Sequence, residues 1–150
     1  MMQLIESDVA LLMCEREKLS GAASPSLRRP YITLWELEKE CSTPDLKEVL
    51  EYVTDQCIRY ALSVGAYIKV LMSGFGIGSE DLNDAEDARK RIHDATIDAI
   101  NALSRQLKKA GKNNAWIFNL TTQGRPAYGK FATLIAFEAI EQYSQQKEAV

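Results

Sequence analysis

The feature that most constrains this chain is a long helical repeat of apolar residues between positions 43 and 74. These residues recur at intervals of three and four, which places them on one face of a helix. Thr43 can cap the N-terminus, Pro44 suits the first helical position, and Gly74 ends the pattern. About 28 residues at 1.5 Å each predict a helix roughly 42 Å long. The apolar face consists of Leu46, Val49, Leu50, Val53, Cys57, Tyr60, Ala61, Val64, Tyr67, Ile68 and Leu71.

A second apolar stripe lies on the other side of the later half of this helix. It consists of Ile58, Leu62, Ala66 and Val70. Two apolar sides predict that neighbours enclose this half, as they enclose a central helix.

Helical signals also cover most of the remaining chain. A second long helix is predicted from a Ser79 cap to a Gly111 stop, with acidic residues in its first turn and lysines in its last. Further helices are predicted over 3–19 and 126–146, and a capping box predicts a short one over 31–41. Residues 115–120 could form a short strand, but because no partner strand is evident the sequence favours an apolar loop or a short helix.

These elements predict an all-α fold, a single-domain bundle of four to five helices with two long central helices. The small residues in 20–30 suggest a flexible linker, so residues 1–19 could be an N-terminal helical arm.

The number and spacing of the cysteine and histidine residues limit the metal and redox chemistry that the chain can support. Cys14, Cys41 and Cys57 are odd in number and never spaced as CxxC, which favours reduced thiols and a cytoplasmic location. The chain has 1 His, so the paired Glu-x-x-His motifs of a di-iron bundle cannot form. We therefore expect no metal and no cofactor. No stretch approaches the ~20 apolar residues of a membrane span.

Four polar residues interrupt the apolar faces of two predicted helices. Arg89 and His93 lie one turn apart on the apolar face of the helix over 79–111, and Asp8 and Glu15 lie within that of 3–19. Because a buried charge is costly unless paired, one hypothesis is that these residues meet inside or at the mouth of the bundle. The alternative is structural, with Arg89 extending to water and His93 satisfied in the core.

Charge is divided unevenly along the chain. Residues 1–88 hold 8 basic and 16 acidic side chains, and residues 89–150 hold 10 basic and 5 acidic ones, giving −8 and +5 for the total of −3. No acidic residue falls between positions 105 and 130, where Trp116, Phe118 and Tyr128 are interleaved with six basic residues. Such a segment can bind nucleic acid or another anionic ligand. The alternative is a helix C-terminus with its usual lysines, followed by core aromatics. The basic residues are Arg105, Lys108, Lys109, Lys112, Arg125 and Lys130.

The run from Arg89 to Arg105, with its Arg-rich turn, His93 and an Ile/Asn/Leu/Arg pattern, resembles a stretch of small uncharacterised bacterial helical proteins. The resemblance covers about a fifth of the chain. It implies a bacterial, mostly α-helical protein and selects Arg89, His93, Asn101 and Arg105 for testing. It assigns no role to them.

These observations favour a non-enzymatic binding or regulatory module that acts through protein–protein contacts, with a homodimer as one form. In such a dimer the basic half of one subunit could face the acidic half of another. Binding of nucleic acid or an anionic ligand by 105–130 is the first alternative. An enzyme that uses Arg89, His93 and a carboxylate is the second.

Overall fold

Five helices make up the part of the chain that can be described. The structure, a computed structural model, describes residues 32–73 and 79–148, with side chains through Tyr143. These residues contain helices and no strand, so the predicted all-α bundle with two long helices is confirmed for them. The predicted helix over 3–19, the linker over 20–30 and the Gly74 stop lie outside the described residues. The helices are α1 (Leu34–Glu40), α2 (Pro44–Met72), α3 (Glu80–Lys109), α4 (Trp116–Gln123) and α5 (Arg125–Glu148).

The predicted caps set the first residue of three helices. The Thr33 side chain accepts a hydrogen bond from the Glu36 amide, the Thr43 side chain from Leu46 and the Ser79 side chain from Leu82. Each bond satisfies one of the amides that a helix start leaves without an intrahelical acceptor. These local bonds explain why the boundaries could be read from the sequence.

Helix α2 packs along α3 and α5, and their facing sides form the core. Helix α5 is apolar around much of its circumference, so it buries residues on several sides. It begins beside the middle of α2 and α3, where Gly129 meets Tyr60, and it passes α1 farther along, where Glu138 lies. The buried α5 residues are Ala127, Tyr128, Phe131, Ala132, Ile135, Ala136, Phe137, Ala139 and Ile140.

Polar contacts attach the short helix α1 to the bundle. A carboxylate oxygen of Glu138 accepts a 2.7 Å hydrogen bond from the Leu34 amide, and Gln142 donates to Glu38 over 2.9 Å. At the other end of α1, the Asn113 amide donates to Glu40 over 3.2 Å. Helix α1 has only 7 residues, so these bonds and the fully buried Leu37 hold it in place.

The connection from α3 to α4 folds back on α3. The Asn114 side chain donates to the carbonyl and the hydroxyl oxygens of Ser104, over 3.4 and 3.3 Å. Of the two forms that the sequence left open for 115–120, the structure has the short helix, and the buried Trp116 ring stacks on Phe131 with centroids 5.4 Å apart.

The second apolar stripe of α2 differs from the prediction that it would be enclosed. Ile58 is fully buried, but Leu62 and Val70 are half-buried and Ala66 is exposed. The reason is geometric: a four-residue step advances about 400°, so each step turns the stripe about 40° farther around the helix. After two steps, at Ala66, the stripe has left the core side and reaches solvent.

Candidate functional site

Helices α2, α3 and α5 bring a tyrosine, a histidine and a glycine together at the start of α5. The rings of Tyr60 and His93 are 5.2 Å apart at their centroids and tilted by 39°. Nε2 of His93 donates a 3.2 Å hydrogen bond to the carbonyl oxygen of Arg125. A Cβ atom on Gly129 would lie 2.7 Å from the Tyr60 hydroxyl oxygen, so the absence of a side chain permits this approach.

The electrostatic surroundings of His93 favour its neutral form. Burial lowers the pKa of His93, and the positive charge of Arg125 lowers it further. The hydrogen bond to the Arg125 carbonyl and the charge of Asp94 oppose this shift, and Arg89 adds to it. Arg125 itself forms an ion pair with Asp94. His93 therefore occupies a half-buried, hydrogen-bonded position at a helix junction.

Arg89, one turn before His93, lies over an aromatic ring. Its guanidinium carbon is 5.5 Å from the centroid of Tyr67, within the range of a cation–π contact. Asp8 and Glu15, the carboxylates expected to meet this pair, lie outside the described residues. Their contact with Arg89 and His93 thus remains a prediction.

The six basic residues of 105–130 occupy separate places. Arg105, Lys108 and Lys109 are exposed on the last turns of α3, and Lys112 follows them half-buried. Arg125 pairs with Asp94, which lies about 20 Å along α3 from Lys108 at 1.5 Å per residue. Lys130 is exposed on α5. We define the basic surface as Arg105, Lys108 and Lys109.

The aromatic residues of the same segment divide between core and surface. Trp116 and Tyr128 are buried, and the Tyr128 hydroxyl donates a 2.8 Å hydrogen bond to the side-chain oxygen of Asn101. Burial raises the pKa of Tyr128. Phe118, by contrast, is 70% exposed, one turn beyond the Asn114 anchor.

A groove between α1 and α2 is a site that the sequence did not reveal. Its volume is about 460 Å³. Leu34, Cys41 and Leu50 contribute apolar surface, and Glu38 and Glu51 contribute carboxylates. The remaining lining residues are Lys47 and Thr54. The predicted short helix over 31–41 was the available signal, but only the packing angle of α1 on α2 creates the groove.

Two exposed aromatic residues are sequence neighbours of the groove residues. Trp35 follows Leu34 and Tyr52 follows Glu51, and each side chain is 60% exposed. The Lys39 ammonium lies 3.3 Å from the centroid of the Trp35 ring. We define the acidic surface as this groove together with Trp35.

The described cysteines are poor nucleophiles. Burial raises the pKa of the Cys41 thiol to about 11, with a smaller contribution from the charge of Glu40. Burial also raises the pKa of Cys57, which is fully enclosed. Across 32–73 and 79–148, no group of three His, Cys, Asp or Glu side chains is placed to hold a metal ion.

The comparisons with known proteins do not assign the chain to a family. No family model, curated protein or solved structure matches the chain. None of the described helices has the length and apolar character needed to cross a membrane. The functional argument therefore rests on the geometry of the chain itself.

Proposed function

We propose that this protein is a non-enzymatic binding module that acts through protein–protein contacts, with a second copy of the chain as its partner. The observation that carries the proposal is an exposed aromatic side chain in each of two oppositely charged segments. Phe118 lies in the basic segment 105–130, and Trp35 lies in the acidic segment 32–57. Aromatic anchors within desolvated patches contribute much of the affinity of protein interfaces.

Charge supports a specific pairing of these surfaces. Residues 32–57 hold 7 acidic and 2 basic side chains, whereas 105–130 holds 6 basic and no acidic ones. Both surfaces lie at the same end of the bundle, since Glu40 of α1 contacts Asn113 just after α3. A two-fold dimer can therefore place each acidic surface against the partner's basic surface. Phe118 supplies an apolar group for the groove between α1 and α2.

The test is a charge exchange followed by sedimentation velocity. Lys108→Glu with Lys109→Glu makes one variant, and Glu38→Lys with Glu51→Lys makes the other. We expect wild type to associate and each variant to lose association at least tenfold, because like charges then face each other. An equimolar mixture of the two variants regains association, since both contacts of the mixed dimer then pair an acidic with a basic surface.

A matched control reverses exposed charges elsewhere on α3, with Asp84→Lys and Lys90→Glu, and leaves association unchanged. Phe118→Ser weakens association without changing the net charge. The proposal is contradicted if wild type stays monomeric over the accessible concentrations, or if the control variant loses as much association as the exchanged ones.

Binding of an anionic polymer is the second candidate, favoured by the exposed Phe118 and the exposed Arg105, Lys108 and Lys109 of the same basic segment. Bases can stack on an exposed aromatic ring while cations contact the phosphates. Fluorescence anisotropy with a single-stranded oligonucleotide tests this candidate. If this candidate is right, the affinity for the oligonucleotide falls steeply as the salt concentration rises. The variant with Lys108→Glu and Lys109→Glu then loses the affinity, and the variant with Glu38→Lys and Glu51→Lys keeps it.

A further inference from the structure

The far end of the α2–α3 pair lacks the cover that buries the rest of it. In α2 the last buried residue is Gly65, and in the described part of α3 before Thr96 only Leu82 is buried. Leu71 is 44% and Met72 is 77% exposed, although both continue the core-facing side of α2. This end therefore presents apolar side chains that no described helix covers. We define the open face as Val64, Tyr67, Ile68, Leu71 and Met72 of α2 with Ala85, Arg89 and Ile92 of α3, and the buried Leu82 marks its far end.

The position of α5 explains where burial stops. Helix α5 covers α2 and α3 from its first residue, Arg125, whose carbonyl contacts His93. The open face begins at that point and extends away from α5, across about 13 residues of α3, or roughly 20 Å. A further helix in line with α5 would complete the same three-helix packing.

The open face also carries a positive charge in a defined place. Arg89 is half-buried, and its guanidinium lies over Tyr67 within the apolar surroundings. A helix that covers this face must bring a carboxylate to Arg89, because a cation enclosed without a partner is costly. The occupant is therefore an amphipathic helix with an acidic residue inside its apolar face.

We propose that residues 3–19 of this chain are that helix and dock on the open face. Their sequence predicts an amphipathic helix with Leu4, Leu11, Leu12 and Leu19 on one face and Asp8 and Glu15 within it. At 1.5 Å per residue the 17 positions span about 25 Å, enough for the roughly 20 Å face. Asp8 or Glu15 then pairs with Arg89.

The connection from this segment to the described chain is long enough. The described residues begin at Ile32, two positions before Leu34, whose amide contacts Glu138 of α5. Glu138 is 13 residues beyond Arg125, so Ile32 lies roughly 20 Å from the near edge of the open face. The 12 residues of 20–31 span up to about 40 Å when extended. The segment can therefore reach its own open face without a second chain.

A spin label on the native Cys14 tests this docking without any substitution. Cys41 and Cys57 are fully buried, so the reagent modifies Cys14 in the folded protein. Cys14 falls at the edge of the predicted apolar face, three positions after Leu11 on the side away from Leu12. We expect strong paramagnetic broadening of the amides of 64–72 and 82–92, and none at 105–109.

A mixed sample separates the chain's own segment from that of a second copy. Spin-labelled protein without ¹⁵N is combined with ¹⁵N protein that has no label. We expect no broadening in the ¹⁵N chains. Broadening of the amides of 64–72 in this mixed sample would assign the open face to a second copy and overturn the proposal. In the first sample, broadening centred on the α1–α2 groove, or no broadening in any region, would also overturn it.

Charge reversal tests the role of Arg89. Arg89→Glu should abolish at least half of the broadening at 64–72, and combining it with Asp8→Arg and Glu15→Arg should restore the broadening. Lys90→Glu, an exposed neighbour that pairs with Glu86, is the matched control and should change nothing. Unchanged amide shifts at 99–107 verify the fold. Equal effects of Arg89→Glu and Lys90→Glu, or no rescue, would overturn the assignment.

Discussion

The two halves of the α2–α3 pair carry the same apolar periodicity but reach different degrees of burial. In the half beside α5, Val53, Cys57 and Leu103 are at most 1% exposed. In the other half, Leu71 continues the same side of α2 and is 44% exposed. The difference shows that periodicity selects the face of a helix, whereas the presence of a third helix determines whether that face is enclosed.

The largest effect should come from the enclosed half. Leu103→Ala removes a fully buried side chain and leaves a cavity, so we expect a loss of about 2–5 kcal/mol in the free energy of unfolding. Leu71→Ala should cost less, about 1–2 kcal/mol, because α1 to α5 leave that side chain 44% exposed and the proposed docking of residues 3–19 is its remaining cover. Urea denaturation of both variants compares the halves directly. Equal losses would show that the two halves are enclosed alike.

The attachment of α1 to α5 should have the next largest effect. Glu138→Ala removes the acceptor of the Leu34 amide, and we expect about 1–3 kcal/mol of destabilisation. Glu138→Gln keeps an acceptor oxygen and should cost less. Denaturant unfolding measures both values. A larger loss for the Gln variant would argue against the hydrogen bond as the cause.

The close contact at the start of α5 gives a smaller effect. Gly129→Ala places a Cβ atom against the Tyr60 hydroxyl, a crowding cost of about 1–3 kcal/mol, while Ala favours the helix by about 1 kcal/mol over Gly. We expect a net loss of about 1 kcal/mol, read from thermal unfolding. Adding Tyr60→Phe removes the crowding atom and should recover the loss. If the double variant is no more stable than Gly129→Ala alone, the strain does not come from the Tyr60 hydroxyl.

The smallest effect concerns pH. The pKa of His93 is lowered in the folded state, chiefly by burial and then by Arg125, so the unfolded chain binds the proton more readily. Its contribution to stability is present above the unfolded pKa of about 6.5 and is lost as pH falls below it. His93→Gln should reduce the fall in the free energy of unfolding between pH 7.5 and pH 5, measured by denaturation at each pH. An unchanged slope would exclude His93 as its source.

The sequence predicted those parts of the fold that depend on local interactions. Thr33, Thr43 and Ser79 each bond an amide three residues away, so their roles were visible in the sequence. The predicted enclosure of Ala66 was wrong, because each four-residue step turns the second stripe of α2 about 40° farther from the core side. The end of the enclosed half was not predicted either, because the start of α5 depends on contacts between distant residues such as His93 and Arg125.

The candidate sites were less predictable than the helices. The basic residues of α3 were identified, but Arg125 contacts Asp94 instead of joining them. The groove between α1 and α2 escaped prediction, since it depends on the packing of Leu34 and Cys41 against Leu50. Residue types indicate charge and apolar character, while the surface that combines them follows from tertiary packing.

Amide hydrogen exchange of wild type and a Leu11→Glu variant tests the central claim, that a third helix determines burial in both halves of the α2–α3 pair. We expect amides of 50–61 to exchange slowly in both proteins. Amides of 66–72 should exchange faster than these in wild type, and faster again in the variant, because the substitution removes the proposed cover. Equal exchange of both regions in wild type, or a variant that leaves 66–72 unchanged, would contradict the account.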